Sequence, residues 1–251
     1  MRILVFQHLS VEHPGIFRSF WAEDGHEWDV IELDKGDAIP PLEDYDMLAV
    51  MGGPQDVWQE DVYPWLIAEK AAIRRFVVEL GRPYLGMCLG HQLLAEALGG
   101  KVGLMDEAEV GLTHVGLTAE GLADPLFQGL HDGMLTLQWH GAGICELPHG
   151  VTVLAANAAC SAQAIRYGKY AYGLQYHIEI TENTVADWEA VPEYKASLEA
   201  TLGLEGAKAL KAEMMAKLPV ISAGARRLHQ NLTNIIQART LGRNTPSITV
   251  M

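Results

Sequence analysis

The chain has 251 residues, 49% of them hydrophobic and 20% charged, with 32 acidic side chains against 18 basic ones and a formal charge of −14. That length holds one large α/β domain, or a domain of roughly 150–200 residues with a helical addition. A surface this acidic repels nucleic-acid phosphates and anionic membranes, so neither is an expected partner.

In chain order, residues 2–6 read as a strand, 15–23 as a helix, and 28–33 and 47–51 as strands. Over 65–80 the apolar residues Ile67, Ala71, Ala72 and Phe76 fall near the 3.6 period and predict a helix. Residues 83–87 follow as a strand and 92–98 as a helix closed by Gly99-Gly100. Strands alternating with helices at this spacing argue for βαβ units and a parallel sheet. From Val102 to Tyr176 short strand-like runs take over, at 110–117, 135–139, 151–155, 162–166 and 171–176. Gly, Pro and Asn punctuate them as in hairpins. After Thr181 the sequence is Ala/Lys/Glu-rich and helical to about Arg239. The expected organisation is one α/β domain over 1–190 and a helical extension over 191–251. In that extension Ile221, Ala225, Leu228, Leu232 and Ile235 are spaced 4-3-4-3. Such a stripe suits a short coiled-coil seam in a homo-oligomer or docking onto the parent domain, and two heptads favour docking.

The first residues carry one basic side chain and too short an apolar run for a secretory leader. No uncharged stretch approaches the roughly 20 residues of a membrane span. The three cysteines, Cys88, Cys145 and Cys160, are widely spaced and form neither a disulfide framework nor a zinc motif. The expected setting is a reducing cytoplasm, where a thiol stays available for chemistry.

Three segments carry that chemistry. In Gly86-Met87-Cys88-Leu89-Gly90-His91-Gln92 an apolar strand runs through a glycine-flanked Cys into a helix, a nucleophile elbow with Cys for Ser. The glycines permit a sharp turn, the helix N-terminus favours the thiolate, and the Leu89 N–H points where an oxyanion would form. In Tyr172-Gly173-Leu174-Gln175-Tyr176-His177-Ile178-Glu179, strand alternation puts His177 and Glu179 on one side, so that the carboxylate can orient the imidazole. Val50-Met51-Gly52-Gly53-Pro54 ends a strand in glycines whose backbone N–H groups could complete an oxyanion hole. Other residues weigh less. His8 and His13 read as surface or packing residues, and His91 as packed within the elbow helix. Cys145 and Cys160 read as ordinary small buried residues. No tight ligand spacing suggests a metal.

Together, Gly52-Gly53-Pro54, the Cys88-Leu89-Gly90-x-Gln92 elbow and His177-x-Glu179 resemble the class I glutamine amidotransferases, in particular the GMP-synthase-like branch without a synthetase. The resemblance covers residues 1 to about 185. It implies a flavodoxin-like, mostly parallel sheet with flanking helices, a smaller antiparallel β part and the helical extension. It further implies Cys88 as nucleophile, His177 as base and then acid, and Glu179 as the residue orienting it. The implied oxyanion hole is formed by Gly53 and Leu89. Gly52, Gln92, Trp139 and His140 would lie at the substrate. Relatives commonly carry Asp where this chain has Ala142 after His140-Gly141, which leaves recognition at that loop open.

The expected reaction is hydrolysis of the side-chain amide of glutamine, or of a γ-glutamyl compound, with no metal or cofactor. A γ-glutamyl peptide hydrolase, or a regulatory binding module with a vestigial site, is the alternative. With no phosphate-binding loop in the sequence, ammonia transfer would need a separate synthetase subunit.

Overall fold

The computed structural model describes residues 1–243; the last eight residues of the expected extension, 244–251, lie outside the described residues. Nine strands form one sheet in the order β2-β1-β3-β4-β9-β8-β7-β5-β6. Strands β1 (Arg2–Gln7), β2 (Glu27–Glu32), β3 (Met47–Val50), β4 (Tyr84–Met87) and β9 (Ala171–Leu174) pair in parallel. Strands β5 (Lys101–Leu117), β6 (Met134–Glu146), β7 (Val151–Ala156) and β8 (Ala164–Tyr167) continue the sheet with antiparallel pairs. The architecture is α/β, as the alternation of strands and helices predicts.

The period-2 alternation of β1 shows why the sheet is covered on both faces. Ile3 and Val5 pack on the side of α1 (Phe17–Glu23), while Leu4 and Phe6 pack on the side of α2 (Trp65–Arg74) and α3 (Leu89–Ala97). A short helix, α4 (Ala119–Ala123), follows β5, and α5 (Thr184–Glu189) and α6 (Pro192–Arg243) close the described chain. Helix α6 breaks at Gly203, whose φ of 67° is not helical, and carries Pro219 farther along. Its Ile221, Ala225, Leu228 and Leu232 are buried in the same core as Ile3 and Val5. The 4-3-4-3 stripe therefore faces the parent chain, with Ile236 more deeply buried than Ile235.

Three local expectations are corrected. The antiparallel strands β5 and β6 are 17 and 13 residues long rather than short runs. The first half of β5 is mostly exposed and its register shifts between Leu104 and Glu109, so it lacks the buried alternation of an interior strand. The helix expected to reach Leu80 is α-helical only to Arg74 and finishes in a π-helical turn, Arg75–Glu79. Strand β9 ends at Leu174, so His177 and Glu179 lie beyond it. His177 instead forms an isolated antiparallel bridge with Leu137, exchanging bonds of 2.8 and 3.1 Å.

Candidate active site

The C-terminal ends of four adjacent strands, β1, β3, β4 and β9, converge where ligands bind in open α/β sheets. After β4, Cys88 sits at φ 47°, ψ −101°, the one non-glycine with positive φ among the described residues. That strain is held from both sides. The Cys88 N–H donates to Leu174 of β9 at 2.8 Å, and its carbonyl accepts from Gln92 in the first turn of α3 at 3.1 Å. A Cβ on Gly86 would come within 2.5 Å of the Gly90 backbone, and one on Gly90 would overlap the Val50 carbonyl. Both glycines let α3 cross the sheet closely enough to turn the chain sharply at Cys88.

Beyond β9, His177 Nδ1 donates to Glu179 Oε1 at 2.6 Å, and the Ile178 N–H donates to Glu179 Oε2 at 2.9 Å. Both side chains are buried. Trp188 of α5 stands edge-on against the imidazole, with ring centres 4.6 Å apart. Burial disfavours charge on His177, but the Glu179 carboxylate and the neighbouring Cys88 thiol outweigh it and hold the imidazole well above its ordinary value. The arrangement is a thiol beside a base whose tautomer and orientation a carboxylate fixes.

A cleft of about 180 Å³ opens over Cys88, lined by Gly53, Leu89, Gln92, Trp139 and His140 among others. Of the residues expected there, Gly52 is set back from the wall; a Cβ on it would meet Glu12 Oε2 at 2.5 Å and His177 Cε1 at 3.2 Å. Gln92 donates to the Ala142 carbonyl at 3.0 Å and to Gln175 Oε1 at 3.1 Å. Ala142 thus enters the site through its main chain, which also accepts from His140 Nδ1 at 3.0 Å. Trp139 Nε1 donates to Ser197 of α6 at 2.9 Å, and the Trp139 carbonyl accepts from the Cys88 thiol at 3.9 Å.

Several residues at the site escaped sequence reasoning. Glu12, in the loop after β1, is buried and accepts a 2.6 Å hydrogen bond from Tyr194 of α6. Burial pushes its carboxyl up, against the pull of His177 and Tyr194. Gln175 donates to Cys88 Sγ at 3.6 Å, and it stood inside the motif already quoted. Glu193, Tyr194 and Ser197 form a wall of the cleft from α6. No spacing rule could have joined them to residues 12 or 139.

The remaining candidates fall elsewhere. His91 is fully buried against Gly173, and burial lowers its imidazole to about 3, which keeps it neutral. His13 pairs with Arg18 at 3.2 Å. Cys145 is exposed, contrary to expectation, because it lies near the outer end of β6; Cys160 is buried. Glu12, His177 and Glu179 could between them offer three oxygen and nitrogen ligands to a cation. The ring nitrogen facing Glu179 is already committed to it, so the set fits an ion-paired base better than a metal centre. Among the described residues no helix is long and apolar enough to cross a membrane.

Comparison with known proteins bears on the family and the fold. The class I glutamine amidotransferase family profile matches residues 18–187. A glutamine amidotransferase-like protein of Salmonella typhimurium is 36% identical over 190 residues, which is 74% of this chain and 78% of that protein. A glutamine-hydrolyzing GMP synthase of Vibrio vulnificus is 31% identical over 173 residues, covering 68% of this chain but only 29% of the synthase. Among solved structures, a glutamine amidotransferase from Thermotoga maritima superposes with a TM-score of 0.83 at 28% identity, covering 94% of this chain and 98% of the other. One from Methylobacillus flagellatus gives 0.81 at 26%, covering 93% and 94%. On the family match and the Salmonella relative, the chain belongs to the class I glutamine amidotransferases.

Proposed function

We propose that this protein hydrolyses the side-chain amide of glutamine through Cys88, His177 and Glu179. The observation that carries the reading is the positive-φ Cys88 at the start of α3, facing a cleft and backed by the buried His177–Glu179 pair. His177 takes the thiol proton, and the thiolate attacks the δ-carbonyl carbon. The oxyanion rests on the backbone N–H groups of Gly53 and Leu89, which share the cleft wall with Cys88. Collapse breaks the C–N bond, and His177 returns its proton to the departing ammonia, leaving a γ-glutamyl thioester. His177 then deprotonates water, which attacks the thioester; glutamate leaves and the thiol is restored. Glu179 stabilises the imidazolium in both halves.

The α-amino and α-carboxylate groups of the substrate are held near Gln92, His140 and the main chain around Gly141, which line the same wall. Ammonia passes to solvent or to a separate synthetase subunit seated over the cleft. The test is glutamate release from glutamine with a Cys88→Ala control. Losing a nucleophile of this kind should lower turnover by roughly 10⁴-fold or more. Substantial residual activity in that variant would remove Cys88 from its role.

A further inference from the structure

A peptide joining two glycines turns with little steric resistance, so the Gly52–Gly53 plane needs an external hold. In a trans peptide the carbonyl of one residue and the N–H of the next point in opposite directions. What grips the Gly52 oxygen therefore decides where the Gly53 N–H aims. That oxygen is 2.8 Å from His8 Nδ1, and His8 Nε2 is 2.8 Å from Glu69 Oε1. His8 follows β1 and Glu69 lies in α2, and neither side chain is exposed at all. Trp65 stacks on the imidazole with centroids 5.4 Å apart, which fixes the ring plane.

Both neighbours of the ring are hydrogen-bond acceptors. Both ring nitrogens must then donate, and the imidazolium satisfies the two at once. Burial alone would lower this imidazole; Glu69, the Gly52 carbonyl and Glu12 outweigh it and raise it. A buried ion pair is weak as a device for stability, since apolar residues of similar volume often serve equally well. Its presence here is better explained by the one carbonyl on which it is spent.

We propose that His8 and Glu69 act as positioning residues that clamp the Gly52–Gly53 peptide with its Gly53 N–H turned into the cleft, where the oxyanion forms. This rests on the assignment of Gly53 and Cys88 under Proposed function. The clamp acts only on the developing charge, so it bears on kcat and leaves substrate binding and thiol reactivity alone.

The test compares wild type with His8→Leu/Glu69→Leu, which removes the clamp without stranding a buried carboxylate. His8→Gln serves as a second variant that keeps an amide toward Glu69 and releases Gly52. Losing an oxyanion donor lowers kcat about 10²–10³-fold, and misdirecting one should lower it by roughly 10-fold or more. KM for glutamine should stay within about threefold. Alkylation of Cys88 by iodoacetamide, a displacement at a saturated carbon that needs no oxyanion hole, should keep its wild-type rate. His8→Asn, whose amide can donate where Nδ1 does, should recover part of kcat. Unchanged kcat in His8→Gln and the double variant overturns the clamp. So does a parallel fall in kcat and alkylation, which marks a generally damaged site. Wild-type protein that releases no glutamate from glutamine overturns the hydrolase reading itself, a failure visible before any His8 variant is made.

Discussion

Gly90→Ala tests how closely the elbow is built. A methyl group there would overlap the Val50 carbonyl oxygen and lie 2.8 Å from the Val50 carbonyl carbon and 3.0 Å from Val50 Cβ. Carbon contacts settle at about 3.5–4.0 Å, so α3 and β3 would have to part by about 1 Å. The Gly90 N–H also donates to Met51 at 3.2 Å, and the same movement stretches that bond. Overpacking costs about 1–3 kcal/mol and a weakened hydrogen bond about 1 more. At about 2–4 °C per kcal/mol for a chain of this size, Tm should fall by roughly 5–15 °C. The sign is informative, because helix propensity alone favours Ala over Gly by about 1 kcal/mol and would raise Tm. Activity should fall too. Leu89 and Gly53 stand on the two segments being separated, and a misplacement of about 1 Å can cost about 10²-fold. Differential scanning calorimetry with a glutamate-release assay reads both quantities. A Tm at or above wild type, with normal turnover, would show that the close crossing of α3 and β3 is not what shapes the elbow.

Three further outcomes are expected. Glu179→Gln should lower kcat far more than it raises KM, because orienting the base matters chiefly in the transition state; a change confined to KM would place Glu179 in substrate binding. A glutamine-like electrophile should label Cys88 first, whereas a small general alkylator should also find the exposed Cys145, and buried Cys160, its thiol raised by burial, should lag behind both; peptide mass spectrometry showing equal labelling by the glutamine-like reagent would argue against recognition in the cleft. His8 and His177 are both raised in the folded state, so their stabilisation is complete below the unfolded imidazole value of about 6.5 and is lost as pH rises through the folded values. Between about pH 6 and 9, Tm of the wild type should therefore decline more steeply than that of His8→Leu/Glu69→Leu, and parallel curves would contradict the shift at His8.

The elbow was legible because its chemistry is local. Gly86, Cys88 and Gly90 are near neighbours in sequence, and their spacing alone demands a sharp strand-to-helix turn. His177 and Glu179 were legible as a pair for an incomplete reason. They share a side, but the bridge to Leu137 and the Ile178 N–H hold them there, since β9 has already ended. Glu12 and Tyr194 were illegible, being single residues 182 positions apart joined by one hydrogen bond. His8 shows no partner in the sequence, since Glu69 lies 61 residues downstream on a helix face whose apolar pattern gives no hint of a buried carboxylate. The full length of the antiparallel strands is not legible in the sequence: the first half of β5 is mostly exposed and carries no buried alternation, and beyond Trp139 the glycines Gly141 and Gly143 break the apolar run of β6, although Ala142 and Ile144 are buried.

The bond between Tyr194 and Glu12, with Trp188 donating to the Val11 carbonyl at 3.3 Å, ties the pocket to both early and late parts of the polypeptide. During synthesis at about 5–20 residues per second, the Cys88 segment leaves the ribosome several seconds before the wall that will shelter it. Through that interval the nascent molecule holds a thiol without a finished pocket, and local contacts alone cannot close it. In refolding, the return of sheet ellipticity and the return of turnover should then be separate events. The second would report the seating of the late helix, which makes the onset of activity a clock for the final step of maturation.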